Sequence, residues 1–226
     1  MAPRKTPSLH GFTIEYVAAG AAFLVLMALD RGGLVRTVLK ALPVSILIVL
    51  VLRDIRGFPS IFLTGALIGS VCGDVLLDLP YTGFFIYGLA AFLIAHLFYT
   101  SLFFRFAKRP GAADMAVIAG LALFAGLMIW IFRGIDPNLL GPVVLYIVVI
   151  ITMSIGALLV PSTNRLLFYG ALLFIASDVV LAVNKFLVAV PYGRVVNISL
   201  YFLAQFTIVA AARTVWMDKE TGKGTS

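Results

Sequence analysis

The sequence predicts an all-α integral membrane protein of eight transmembrane helices. Three observations carry that reading. Hydrophobic residues make up 62% of the 226 residues and charged residues only 12%, with a mean hydropathy of +1.10; a soluble domain is roughly 45–50% apolar and about 25% charged. A soluble core of this length leaves too much surface exposed to hide that apolar material. The apolar residues fall into runs close to the roughly 20 residues that a helix needs to cross a bilayer, and short turn-forming segments separate the runs. A soluble enzyme, a nucleic-acid-binding domain and a disordered chain are thereby excluded.

The first run, 11–29, follows Arg4 and Lys5, as the apolar part of a signal peptide would. It is long for that role and lacks a small-residue cleavage site before Asp30-Arg31, so it is expected to remain as a helix. Asp30-Arg31-Gly32-Gly33 leads to the second run, 34–52, which contains Lys40 and Pro43. Arg56-Gly57-Phe58-Pro59 leads to the third, 59–79, whose Gly65, Gly69 and Gly73 form a small-residue ridge for close helix packing. Pro80-Tyr81-Thr82-Gly83 leads to the fourth, 83–104, with His96 and Tyr99 on one face. Lys108-Arg109-Pro110-Gly111 precedes the fifth, 114–132, and Asp136-Pro137-Asn138 precedes the sixth, 139–160. Pro161-Ser162 precedes the seventh, 165–185, and the eighth spans 194–213. The domain reading is a polar segment 1–10, one eight-helix domain 11–213 and a polar, frayed tail 214–226.

The net charge of +7 is a topology signal rather than a nucleic-acid signal, because the basic residues sit in short loops. With the N-terminus inside, the inner segments hold Arg4, Lys5, Arg53, Arg56, Arg105, Lys108, Arg109, Arg165, Arg213, Lys219 and Lys223. The outer segments hold Arg31, Arg36, Arg133, Lys185 and Arg194, so the balance is 11 against 5. Both termini are therefore expected in the cytoplasm, with the chain in a bacterial inner membrane. A lone cysteine, Cys72, excludes an internal disulfide, and two histidines, His10 and His96, cannot supply a three-histidine zinc centre. Gly69-Ser70-Val71-Cys72-Gly73 has a valine where a nucleophile elbow has its serine.

The chemistry must lie in the spans. A charged side chain at mid-helix costs about 2.5–3.5 kcal/mol on insertion scales, so it needs a reason to be there. Asp74 and Asp178 lie 13–15 residues into the third and seventh runs, at matched depth toward the outer half. Two carboxyls in one apolar pocket divide naturally into an acid and a base; the structural alternative is a pair of aspartates satisfied by neighbouring serines or by Lys40. Ser70, Asp74 and Asp78 share one stripe of the third helix, Asn197, Tyr201 and Gln205 one stripe of the eighth. Ser177 with Asn184, and Asp178 with Lys185, repeat at i+7 on the seventh. Such stripes are expected to face the bundle interior. Lys40 is either a counter-ion for an aspartate or a side chain reaching to the interface. His96 reads as a hydrogen-bonded structural residue before a catalyst, and Asp78 as a solvated residue near a helix end. Gly73-Asp74-Val75-Leu76-Leu77 echoes Ser177-Asp178-Val179-Val180-Leu181, and Tyr87-x-Leu89-Ala90-x-Phe92 echoes Tyr201-x-Leu203-Ala204-x-Phe206. A parallel four-plus-four duplication accounts for both; chance likeness of apolar segments is the alternative.

The block Gly69–Leu77, followed by Gly88–Tyr99, resembles the YhhN-type family of membrane proteins. So do Gly170–Phe186, with its Ser177-Asp178 and Asn184-Lys185-Phe186, and Tyr201-Phe202-Leu203-Ala204-Gln205. Lys40 with Pro43 resembles that family's second-helix feature, and the likeness runs from about Lys40 to Ala212. The family's animal members are lysoplasmalogenases, which hydrolyse the vinyl ether bond of lysoplasmalogens to a fatty aldehyde and a glycerophospho-alcohol. The resemblance implies an eight-helix fold and Asp74 and Asp178 as the catalytic pair.

Vinyl ether hydrolysis needs an acid that protonates carbon and a carboxylate that stabilises an oxocarbenium ion and activates water, close to the two-carboxylate logic of glycosidases. Lys40, Ser70, His96, Tyr99, Ser177, Asn184, Lys185, Tyr201 and Gln205 are the expected supporting or substrate-binding residues, and Lys185 or Arg194 is placed to meet a lipid phosphate. No metal or redox cofactor is required. The expected partners are a lysophospholipid or related amphiphile and the membrane. The main rival is a proton-coupled transporter using the same buried aspartates.

Overall fold

The computed structural model describes residues 9–29, 33–81, 83–162 and 164–221, with side chains except at 9 and 218–221. The expected turn residues Asp30, Arg31, Gly32 and Thr82, and the polar segments 1–8 and 222–226, lie outside the described residues. Eight helices follow one another: α1 (Leu9–Ala28), α2 (Leu34–Asp54), α3 (Gly57–Asp78), α4 (Phe84–Arg105), α5 (Ala112–Phe132), α6 (Pro137–Leu159), α7 (Leu166–Phe186) and α8 (Gly193–Thr221). No strand occurs among the described residues. All eight are long and apolar enough to cross a membrane.

Helix boundaries lie within two residues of the expected runs, with one exception. α8 continues to Thr221, so the expectation of a frayed tail directly after Arg213 is corrected. The reason is apolar: Trp216 is 5% exposed and its ring lies 5.5 Å from that of Phe106. The turn chemistry explains several ends. Asp136 caps α6 by accepting from the Asn138 amide at 2.9 Å, with Pro137 in the first turn where no amide is needed. Gly57 takes φ +65 at the α2–α3 corner, a conformation that favours glycine.

Six helices close a ring: α2 packs on α3, α3 on α4, α4 on α6, α6 on α7, α7 on α8, and α8 back on α2. α1 lies against α2 and, more lightly, α8, where Tyr16 donates to the carbonyl of Phe202 at 2.6 Å. α5 packs chiefly on α6. The glycine ridge of α3 faces α4. A Cβ on Gly65 would stand 2.8 Å from Phe98, one on Gly69 3.1 Å from the Ala91 carbonyl, and one on Gly73 2.5 Å from Phe92. The backbones of α3 and α4 approach closely because those side chains are missing. Leu34, Leu123 and Ile61 point outward, 78%, 76% and 67% exposed, as a lipid-facing surface requires.

Charge is sorted to the two ends. At the end where α2 finishes, Asp54 pairs with Arg213 at 2.6 Å and with Arg53 at 2.9 Å. Asp114 at the start of α5 pairs there with Lys108 and Arg165 at 3.3 and 3.4 Å. The opposite half carries Asp74, Asp78 and Asp178.

Candidate active site

All eight helices contribute to one cavity of about 170 Å³. It lies in the half of the bundle where the odd-numbered helices end and the even-numbered ones begin. Its wall is mostly apolar, with Phe23 and Met27 from α1, Leu89 and Phe92 from α4, Phe124 and Phe132 from α5, and Ile150 from α6. Into this wall are set Lys40, Asp74, Asp78, Tyr146, Ser177, Asp178, Arg194, Asn197 and Tyr201. The two expected carboxyls thus line a single cavity.

Asp74 is buried on α3 and has partners from two other helices. Lys40 of α2 places its ammonium 3.5 Å from Oδ1 and also donates to the Asp74 main-chain carbonyl at 3.0 Å. Tyr201 of α8 donates its hydroxyl to Oδ2 at 2.6 Å. Of the two readings of Lys40, the counter-ion is the one observed, and Lys40 is only 6% exposed. Burying both ions is costly unless each is paired and hydrogen-bonded, and both conditions hold here.

Asp178 is half-buried on α7 and has a different setting. Its Oδ2 accepts from the hydroxyl of Tyr146 on α6 at 2.7 Å, and no cation pairs with it among the described residues. An aromatic floor joins the two carboxyl partners. The ring centroids run from Tyr201 to Phe174 at 5.5 Å, from Phe174 to His96 at 4.6 Å and from His96 to Tyr146 at 5.2 Å, all edge-on. His96 does not line the cavity. Its Nδ1 stands 2.6 Å from the Phe92 carbonyl, and Nε2 is buried with no partner.

The α8 stripe is the hub that gathers the other polar faces. Asn197 donates to the main chain and hydroxyl of Ser177 at 2.8 and 2.9 Å, tying α7 to α8. Gln205 donates to Ser70 at 2.9 Å and accepts from Tyr99 at 2.7 Å, joining α8, α3 and α4 beneath the cavity. Ser70, Tyr99 and Gln205 therefore support the site without lining it. Asn184 accepts from the Val190 amide at 2.9 Å and shapes the α7–α8 connection. Lys185 is exposed and stands outside the cavity, its ammonium 4.9 Å from the centre of the Phe85 ring.

Two features escaped the sequence reading. Asp78 is not a solvated helix end: it is 9% exposed, bound by Thr37 at 2.7 Å and by Arg36 at 3.2 Å. Tyr146 was not singled out, because no polar residue lies one turn away from it; Ser154, two turns on, is the nearest on its face. Its signal was a phenolic hydroxyl at membrane depth, which must find a partner on another helix. Among the described residues no group of three His, Cys, Asp or Glu side chains is placed to hold a metal ion.

A model of the YhhN family matches residues 35–212. Lysoplasmalogenase TMEM86B of Mus musculus is 31% identical over 197 residues, covering 87% of this chain and 83% of its own length. Lysoplasmalogenase TMEM86A of Homo sapiens is 33% identical over 204 residues, covering 84% and 83%. A lysoplasmalogenase of Mycobacterium tuberculosis is 34% identical over 131 residues, 56% of this chain and 50% of the relative. No solved structure matches.

Proposed function

The chain belongs to the YhhN family, and from that premise we propose that it is a lysoplasmalogenase: it cleaves the vinyl ether bond of a lysoplasmalogen-like lysolipid to a fatty aldehyde and a glycerophospho-alcohol. The observation that carries the site is that Asp74 and Asp178 line one largely apolar cavity with unlike partners. The transport reading has no support among the relatives.

The unlike partners divide the work. Asp74, paired with Lys40, serves as the carboxylate; Asp178, bound by Tyr146 alone, delivers the proton. Asp178 protonates the β-carbon of the vinyl ether, and the ether oxygen donates electrons to form an oxocarbenium ion. Asp74 faces that cation and takes a proton from the water that attacks it, giving a hemiacetal. Asp74 then returns this proton to the departing glycerol oxygen as the carbon–oxygen bond breaks. Asp178 takes the hemiacetal hydroxyl proton, which leaves the aldehyde and restores both carboxyls. The apolar wall keeps bulk water from the cation and accommodates the alkenyl chain, and Tyr146 and Tyr201 fix the carboxyl rotamers.

The matched aspartates fit a parallel four-plus-four duplication within one eight-helix domain, with both termini in the cytoplasm of a bacterial cell and the cavity toward the outer face. The neighbour pattern supports the duplication: α1–α2, α2–α3, α3–α4 and α4–α6 each have a counterpart four helices on, the last being α8–α2. The polar devices differ between the halves, because the helix before Asp74 brings Lys40 and the helix before Asp178 brings Tyr146.

Cleavage of a lysoplasmalogen in D2O by the purified full chain in nanodiscs tests the chemistry. The reading expects a fatty aldehyde with one deuterium on the carbon next to the carbonyl. Absence of aldehyde, or aldehyde without that label, would overturn it.

A further inference from the structure

We infer that Arg194 is the anion-binding residue of this site and holds the phosphate of the lysolipid headgroup at the cavity mouth. The inference rests on the proposed function and specifies which residue reads the polar end of that substrate.

Charge accounting singles out this arginine. Of the cations near the cavity, Lys40 is paired with Asp74, and Arg36 is held by both carboxylate oxygens of Asp78 at 3.2 and 3.3 Å. Lys185 stands outside, over Phe85. Arg194 lines the cavity and has no hydrogen bond or ion pair with any described residue. It is also exposed, so it stands at the open edge of the apolar wall. An unpaired guanidinium in that setting suits an anion supplied by the ligand, and a guanidinium binds a phosphate through two parallel hydrogen bonds.

Position along α8 agrees. Arg194 precedes Tyr201 by seven residues, two turns on the same face, or about 10 Å of axial rise. Tyr201 marks the level of Asp74. The six bonds from the ether carbon to the phosphorus span somewhat less than this, and the long arginine side chain covers the difference, so a phosphate at Arg194 sets the vinyl ether near the carboxyls. Arg194 also lies in the first turn of α8, where a cation opposes the helix dipole.

The test is binding of a saturated 1-alkylglycerol 3-phosphate, an ether the enzyme has no means to cleave, compared with the 1-alkylglycerol lacking phosphate. The wild-type full chain in nanodiscs is expected to bind the phosphate-bearing lipid about 10- to 100-fold more tightly, the scale of hydrogen bonds to a charged group. Arg194→Gln is expected to bind both lipids alike, and Arg194→Lys to keep part of the preference. Inorganic phosphate should not displace the lipid, which places the anion on the headgroup rather than in solution. Arg194→Gln retaining the wild-type preference, both variants losing affinity for the two lipids equally, or displacement by inorganic phosphate would each overturn the inference. The lipid is not a substrate, so these results stand apart from aldehyde release: a failure here leaves the cleavage reading intact, and the reverse.

Discussion

The Lys40 ammonium and the Asp74 carboxylate meet at 3.5 Å across the α2–α3 contact, both almost wholly buried. In a wall of phenylalanine and leucine, this pair gives one carboxylate a fixed counter-ion while Asp178, at the other end of the aromatic floor, has none among the described residues. Lys40→Met is expected to lower the turnover number for aldehyde release at least about 100-fold, because it strands Asp74 without its counter-ion, and to lower stability by the about 3–5 kcal/mol that breaking a buried pair costs. Lys40→Arg is expected to recover part of the rate. A steady-state aldehyde assay on both variants checks this, with helix content by circular dichroism showing that each folds.

The two tyrosines provide a finer probe. Tyr146→Phe removes only the hydroxyl that binds Asp178 and keeps the edge-on contact with His96. Tyr201→Phe does the same on the Asp74 side. A hydrogen bond to a charged group is worth about 1.5–3 kcal/mol, at Asp74 in its resting form and at Asp178 as it gives up its proton, so each variant is expected to lose about 10- to 100-fold in turnover number with little change in KM. An effect on KM alone would place the tyrosines in substrate binding instead.

Gly73→Ala is expected to disturb packing before chemistry. The added methyl would meet the Phe92 ring at 2.5 Å, and Phe92 lines the cavity. Overpacking of this kind costs about 1–3 kcal/mol. The thermal midpoint in detergent should fall, and Gly120→Ala, inside α5 where a Cβ meets nothing within 4 Å, should leave it unchanged or raise it slightly.

Gln205→Met leaves Tyr99 and Ser70 without their shared partner below the cavity. Ser70 keeps its bond to the Ala66 carbonyl, and the stranded Tyr99 hydroxyl should lower stability by about 1–3 kcal/mol. Activity per folded molecule is expected to fall less than about 10-fold, because the Tyr201–Asp74 bond remains. Parallel thermal and aldehyde assays separate the two effects.

The fold was legible because a bilayer makes helix length and apolar composition nearly sufficient, and because turn residues such as Asp136-Pro137-Asn138 have a fixed local chemistry. The aspartates were legible because charge is scarce in the spans. The partners were less so. Periodicity put Asn197, Tyr201 and Gln205 on one face of α8, and all three indeed reach other helices. On α6 periodicity pairs Tyr146 only with Ser154, two turns on, which bonds its own helix at the Ile150 carbonyl, so no stripe marked Tyr146 as a partner of Asp178. Nor does periodicity tell which helices meet: Asp78 is buried only because α2 brings Arg36 and Thr37 beside it. The place of Lys40 depended on the same contact.

The central claim is that Asp74 and Asp178 act as one unit on one bond. It is tested most directly by aldehyde release from Asp74→Asn, Asp178→Asn and the double variant, each shown to be folded. Residues that work together lose most of their effect when either is removed. Each single variant should therefore fall by at least about 1,000-fold, and the double variant should be no slower than the worse single. A single variant at the wild-type rate, or losses that multiply in the double variant, would contradict the account.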